Sequence, residues 1–180
     1  MVRLSERERR AELRITPGVP LLLRVLRENY RGGAWHGPSV LAAVRDLDVR
    51  GARWRPGAGR HSIWELALHL AYTRHILLGR MGIRAGAFPR RLTKSWWPSL
   101  PVVPSADAWA GDLALLEGLH GELVAAVSGA SRRMLGTVRP GRNDTIAMEL
   151  LGVATHDAYH GGQMNMLRRM WETSRRRSGP

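Results

Sequence analysis

The sequence contains no cysteine. Disulfide bonds, thiolate metal ligands and a cysteine nucleophile are therefore excluded together, and any metal site must use histidine, aspartate or glutamate. No apolar run approaches the roughly 18 residues that a membrane-spanning helix needs, so we expect no membrane segment. Residues 1–16 also lack the apolar core of a secretion signal, which predicts a cytoplasmic protein.

Acidic residues and lysine are scarce as well. The chain has 15 Asp and Glu against 28 Lys and Arg, Lys94 is its single lysine, and its net charge is +13. Such a charge can indicate a polyanion partner, which makes a basic nucleic-acid-binding helical protein one alternative. An arginine excess beside abundant alanine and glycine is also typical of a GC-rich genome. We therefore expect a solvated basic surface and no nucleic-acid binding.

The sequence shows no strand-like alternation of apolar and polar residues and no repeat of solenoid length. Apolar residues recur instead at helical spacing, in segments separated by glycine-rich and proline-rich breaks. The predicted helices cover residues 17–30 with a kinked continuation at 40–48, then 62–81, 105–127 and 145–171. This pattern predicts an all-α fold, a four-helix bundle with a long loop between helices two and three.

The length of 180 residues suits a single folded domain. We expect a basic N-terminal extension at residues 1–16, the bundle at 17–171 and a basic, disordered tail at 172–180. Residues 50–60 are predicted to form a loop. Residues 83–105 contain four prolines and should form a second, longer loop, in which two adjacent tryptophans either cover a pocket or simply dock the loop on the bundle.

Local signals predict several helix boundaries. Ser62 and Glu65 have the spacing of a capping box, which predicts the start of the second helix. Gly82 is placed to end that helix. Asn143 and Asp144 offer caps for the last helix.

Two histidines lie four residues apart in the last predicted helix. His156 and His160 therefore project from one side of it, and Leu150, Val153 and Met164 make that side apolar. Buried imidazoles need partners, and one divalent metal would satisfy both. A histidine pair of this spacing is also common by chance, so one core histidine beside one surface histidine is the alternative.

A third histidine extends the pair. His69 lies on the second predicted helix, on a face shared with Tyr72 and Ile76. If helices two and four face each other, His69 joins His156 and His160 in a set of three nitrogen ligands. Three protein ligands leave at least one coordination position for water or substrate, which distinguishes a reactive site from a closed structural one. Zinc, nickel, iron and manganese all accept such a set.

Three further polar residues could orient these ligands or a bound water. They are Glu65, one turn before His69, and Asp157 and Gln163 on the last helix. Each also has another possible role. Glu65 could be occupied as a helix cap, Asp157 could be a surface group, and Gln163 could bond to the backbone.

Three motifs carry a family resemblance. They are the stretches AWHGPS at residues 34–39, HSIWELALH at 61–69 and HDAYHGGQ at 156–163. In this order and spacing they resemble the DinB/YfiT-like metalloenzyme superfamily, and the resemblance covers about residues 18–171. It implies a four-helix bundle whose metal ligands are His69, His156 and His160. The DNA polymerase that shares the DinB name is unrelated.

The resemblance implies less about the reaction. Some relatives are metal-dependent transferases or isomerases that use a low-molecular-weight thiol such as bacillithiol or mycothiol, and many have no known reaction. We expect an enzyme of thiol S-transferase or hydrolase type that activates a thiol or water with a divalent ion, zinc or nickel first and iron or manganese next. Its substrate would be a small molecule such as a thiol. The alternative within the same fold is a non-catalytic metal-binding stress-response scaffold, and a homodimer is compatible with either.

Overall fold

The computed structural model describes residues 18–94, 96–138, 141 and 143–177. The predicted N-terminal extension lies outside the described residues. The described elements are helices α1 (Val19–Arg31), α2 (Val40–Val44), α3 (Val49–Arg53), α4 (Ile63–Arg80), α5 (Ala106–Ser128), α6 (Arg132–Leu135) and α7 (Ile146–Arg177), and strands β1 (Leu92–Lys94) and β2 (Trp97–Pro98). This arrangement confirms the all-α fold. None of the described helices is both long and apolar enough to cross a membrane.

The four longest helices pack around one apolar core. Helices α1 and α4 each contact both α5 and α7, so each long helix has two long neighbours. Helices α1, α5 and α7 each bury one face, as the helical spacing of their apolar residues predicts, whereas the first half of α4 is buried on nearly all sides. The buried side chains include Leu22 and Leu26 of α1, Leu68 and Leu78 of α4, Leu116 and Leu123 of α5, and Leu150 and Met164 of α7. Burying one such side chain contributes about 2 kcal/mol to folding.

Helix α4 begins and ends where the sequence predicts. The Ser62 hydroxyl accepts a hydrogen bond from the Glu65 amide, and the Glu65 carboxylate accepts one from the Ser62 amide at 2.8 Å, which completes the capping box. Gly82 follows the helix with φ +73°, a conformation that glycine adopts without strain. The predicted caps therefore position the helix that carries His69.

The loop predicted at residues 50–60 is partly helical. Helix α3 covers Val49–Arg53 and is capped by Asp48, whose side chain accepts a hydrogen bond from the Gly51 amide at 2.7 Å. Asp46, with φ +56°, separates α3 from α2. A five-residue helix is too short to show apolar periodicity, so the sequence pattern did not predict it.

Helix α7 differs from the prediction at both ends. Thr145, not Asn143 or Asp144, caps it, and its hydroxyl accepts a hydrogen bond from the Met148 amide at 3.2 Å. An isolated bridge between Thr145 and Val138 keeps Thr145 extended, which delays the helix start. At the other end the helix runs through residues 172–177, which were predicted to belong to a disordered tail, and residues 178–180 of that tail lie outside the described residues.

Side-chain contacts explain the longer helix. Arg168 and Glu172 form an ion pair one turn apart at 3.0 Å, and Thr173 bonds to the Arg169 carbonyl at 2.8 Å. Trp171 lies 6.0 Å from Trp54, between ring centroids, and anchors this end of α7 near α3. Such ion pairs and side-chain contacts stabilise the helix past the last residue of its apolar pattern.

The long loop between α4 and α5 contains a small antiparallel sheet that the sequence did not predict. Strands β1 and β2 pair Leu92 with Pro98 and Lys94 with Trp97, with an irregularity in between. Strands of three and two residues are too short to show alternation. The sheet packs against α4 and brings Trp97 to the histidine of that helix.

Candidate metal centre

Two facing helices bring the three predicted histidines together. His69 lies in the middle of α4, His156 and His160 lie one turn apart on α7, and α4 packs against α7. His69 and His160 are each 7% exposed, and His156 is half-buried. Within the described residues, these three histidines form a group able to hold a metal ion, with their ligand atoms within 4.8 Å of one another.

The distances fit one shared cation. His156 Nε2 lies 3.1 Å from His69 Nε2 and 3.0 Å from His160 Nε2. Nitrogens that each bind one metal at about 2.1 Å lie roughly 3.0–3.4 Å apart, depending on the coordination geometry. The observed separations match this range. A cation held by these three ligands would keep at least one position for water or substrate, as in catalytic sites.

The hydrogen bonds of the outer ring nitrogens support the same conclusion. His69 Nδ1 donates to the Trp96 carbonyl and His160 Nδ1 donates to Gln163 Oε1, both at 2.7 Å. A neutral imidazole that donates from Nδ1 carries its lone pair on Nε2. Two lone pairs therefore point at His156 Nε2, which has at most one proton to offer. A cation at the centre satisfies all three nitrogens, whereas hydrogen bonding alone does not.

The surroundings keep the imidazoles neutral. Burial is the largest cause that lowers the pKa of His69 and of His160 below the usual 6.5. For His156, burial followed by the neighbouring His160 and His69 lowers the pKa to about 3. Since only the neutral imidazole binds a metal, these shifts favour metal binding.

The small sheet covers one side of the site. The Trp97 ring stacks between His61, at 3.6 Å between ring centroids, and His69, at 4.3 Å. Trp96 is 42% exposed and contributes its carbonyl to His69. Through these ring contacts Trp97 docks the loop on the bundle, which is one of the two roles predicted for the tryptophan pair.

The three predicted supporting residues lie in different environments. Gln163 contacts a metal-site histidine directly, through His160 Nδ1. Glu65 is occupied by its capping box and by an ion pair with Arg55 at 2.8 Å. Asp157 is fully buried and pairs with Arg74, another fully buried residue. The structure thus brings Gln163 to the site and gives Glu65 and Asp157 other partners.

Two contributors were missed by sequence reasoning. The Trp96 carbonyl left no signal, because any residue can present a backbone oxygen. Arg74 did leave one, since it stands inside the apolar run from Leu66 to Leu78 on the helix that carries His69. Burial raises the pKa of its partner Asp157, and the Arg74 guanidinium opposes that rise.

A pocket adjoins the site. It has a volume of about 250 Å³, and its lining includes Gln163, His61 and Arg60 together with apolar side chains. The apolar members are Pro56, Leu66, Met166 and Leu167. Gln163 contacts His160, and His61 contacts the ring of Trp97, which stacks on His69. The pocket is therefore lined by residues that surround the three histidines. This volume lies just below the roughly 300–1,000 Å³ typical of ligand pockets, so the pocket suits a small ligand or one group of a larger one.

These features define the class of the protein: a helical bundle with a candidate three-histidine metal site between two of its long helices. The sequence model of the DinB superfamily matches residues 35–164, a span that covers well over half of the chain. The chain belongs to the DinB superfamily, as its motifs indicated. Searches of curated proteins and of solved structures gave no match.

Proposed function

We propose that this chain is a divalent-metal-dependent enzyme of thiol S-transferase or hydrolase type. The observation that carries the proposal is the convergence of three Nε2 atoms, two of them with lone pairs directed by the partners of Nδ1. Zinc or nickel is the first candidate for the ion, followed by iron or manganese. The substrate would be a small molecule, with a low-molecular-weight thiol the leading class.

Each residue of the site has a defined task in this proposal. A divalent cation bound there would lower the pKa of a thiol or a water at its open position toward neutrality. His69, His156 and His160 hold the cation as neutral ligands. Gln163 and the Trp96 carbonyl fix the orientation of two of these rings. The neighbouring pocket would hold the apolar part of the substrate.

Metal analysis tests the first half of the proposal. Mass spectrometry of the purified chain should find about one divalent ion per chain, since three ligands of one site converge. Replacement of His160 with alanine should abolish stoichiometric binding. A wild-type protein that is isolated without metal and takes up none on reconstitution would contradict the proposal.

An activity screen tests the second half. Thiols paired with electrophilic acceptors, and a parallel set of esters and amides, should reveal one reaction that depends on the added metal. His160→Ala should lower its rate more than about 100-fold, because removing even an outer partner of a ligand costs about 10- to 100-fold. His75→Gln is the matched control, since His75 is buried but lies outside the group of three. Equal rates for wild type and His160→Ala would remove the catalytic claim.

Three statements remain predictions from the sequence. A non-catalytic metal-binding scaffold would bind the ion and show no reaction in the same screen. A homodimer would be detected by light scattering of the purified protein. A cytoplasmic location would be tested by fractionation of the source cells.

A further inference from the structure

The core contains an arginine where an apolar side chain is the norm. Arg74 has no exposed side-chain surface, and neither has its partner Asp157. Arg74 Nη2 donates to Asp157 Oδ2 at 2.5 Å, and Arg74 Nη1 donates to the Leu70 carbonyl at 3.0 Å. Arginine is almost never fully buried unless it is paired, so this position needs a specific reason.

The guanidinium also connects the long helices of the bundle. It belongs to α4, and its partner Asp157 belongs to α7. Its carbon lies 5.0 Å from the ring centroid of Tyr30 on α1, and that ring stacks on His120 of α5 at 3.9 Å. A single polar centre therefore joins all four helices.

The two residues of this ion pair are close in sequence to the candidate metal ligands. Asp157 follows His156, and Arg74 follows His69 by five residues, so the ion pair and the metal ligands use the same two helices. We propose that Arg74 and Asp157 form a positioning pair, which fixes the rotation and axial shift of α7 against α4 and so holds the three histidines at metal-binding distance. This inference rests on the metal binding proposed above.

Energetic reasoning favours positioning over stability as the role of the pair. Replacement of a buried ion pair by well-packed apolar residues is often neutral or stabilising, because burial removes the hydration of both charges. Moreover, Arg74 Nε and Asp157 Oδ1 are buried and have no hydrogen-bond partner within the described part of the chain. Unpaired buried polar atoms add to the cost of burying the pair. Directional bonds do, however, fix geometry, and metal–ligand distances tolerate only about 0.2 Å.

The decisive variant removes both charges at once. A substitution that removes only one of the charges leaves the other buried and unpaired, so a loss of metal affinity could not be separated from a loss of stability. Arg74→Met combined with Asp157→Leu instead leaves an apolar core of similar volume. We expect the metal-free double variant to unfold at or above the wild-type temperature. Its dissociation constant for zinc should nevertheless rise about 10- to 100-fold, the loss that follows removal of supporting groups.

The chain offers a matched control between the same helices. Arg80 of α4 and Glu149 of α7 form a second ion pair at 3.2 Å, more exposed and farther along the sequence from the histidines. Arg80→Met combined with Glu149→Leu should leave zinc affinity within about twofold of wild type, as expected for a partly exposed pair remote from the ligands. Arg74→Lys should lie between wild type and the double variant, since lysine keeps the charge but not the fork of donors. Visible spectra of cobalt-loaded protein should show altered band positions only in the Arg74 and Asp157 variants.

The outcomes separate this inference from the proposed function. A wild-type protein that binds neither zinc nor cobalt defeats the proposed function and this inference with it. A wild-type protein that binds zinc, with a folded double variant that binds it equally well, overturns only the positioning role. An unfolded double variant would also overturn it, because the pair would then be a folding determinant.

Discussion

At the scale of single residues, the ability of the three histidines to bind a metal depends on which nitrogen of each ring carries the proton. The Trp96 carbonyl and the Gln163 side chain each accept a hydrogen bond from an Nδ1 atom, so His69 and His160 present Nε2 to the centre. His156 has no such partner within the described residues, because its Nδ1 is buried and unbonded. His156 is therefore oriented by its helix and by the neighbouring rings. Gln163 is the side chain whose removal tests whether a hydrogen bond to an outer ring nitrogen supports metal binding.

Replacing Gln163 with alanine should weaken metal binding without changing the fold. The variant leaves His160 Nδ1 without its acceptor, so we expect the zinc dissociation constant to rise about 10- to 100-fold. Gln163→Glu keeps an acceptor oxygen and should lose less. Competition titration against a chromophoric chelator measures both, and equal affinity in wild type and Gln163→Ala would show that Gln163 does not support the ligand.

His120 is a second residue whose surroundings lead to a prediction. Its ring is fully buried and stacks on Tyr30, and neither ring nitrogen has a hydrogen-bond partner in the described part of the chain. Burial, followed by the charges of Arg74, Arg31 and Arg27, lowers its pKa from the usual 6.5 to about 3. The folded state therefore keeps His120 neutral where the unfolded state protonates it.

The sign of the resulting pH effect follows from this difference. Below pH 6.5 the unfolded chain binds one proton more than the folded chain at this site, so stability falls as pH falls from about 6.5 toward 3. His120→Phe keeps the ring stack and removes the proton site. Between pH 6.5 and 5 the wild type should lose about 1 kcal/mol per pH unit more than the variant in urea unfolding. Parallel pH profiles for the two proteins would refute a buried neutral His120.

At the scale of elements, helix α7 contacts several neighbours along its length. Its middle faces α4 at the three histidines, while Trp171 near its end lies 6.0 Å, between ring centroids, from Trp54, the residue that follows the short helix α3. At that second contact, a side chain on Gly51 would lie 2.6 Å from Leu47 Cδ1 and 2.7 Å from Trp171 Nε1. The Leu47 and Trp171 side chains therefore fill the space that a side chain on Gly51 would need.

A pair of glycine substitutions tests this packing. Gly51→Ala should destabilise the fold by about 1–3 kcal/mol, because the Leu47 and Trp171 side chains must move to admit a methyl group. Gly152, inside α7, has open space around it, so Gly152→Ala should stabilise the fold by about 0.5–1 kcal/mol through helix propensity alone. Chemical denaturation of the two variants measures both values. Stabilisation by Gly51→Ala would show that the Trp171 ring does not pack on Gly51.

The elements also show how far the sequence could predict the structure. The capping box of Ser62 and the apolar faces of the long helices depend on local patterns, so those helices and the His156 and His160 pair were predictable. His69 could be expected to face that pair only if the second and fourth predicted helices pack together. The family resemblance implied that they do. Trp97 stacking on His69 depends on a two-residue strand, which has no periodicity to detect. The partner of Arg74 could not be predicted, because the chain separates it from Asp157 by 83 residues.

At the scale of the whole molecule, charge and metal act on stability in different ways. The net charge of +13 produces repulsion that salt screens, whereas three neutral histidines contribute none of it. Salt should therefore change the stability of the wild type and of a histidine variant alike. A divalent ion at the site should change only the stability of a protein that retains the site.

This difference gives the last prediction. Any ligand that binds only the folded state stabilises it by mass action, by about 2.7 kcal/mol at a free concentration 100 times the dissociation constant. For a chain of this size, zinc at that level should raise the midpoint of thermal unfolding by about 5–10 °C, and a chelator should reverse the shift. His156→Ala should show almost no shift under the same conditions, while its response to added sodium chloride matches the wild type. An equal zinc shift in the variant would place the ion elsewhere on the molecule, and the three converging imidazoles would then need another explanation.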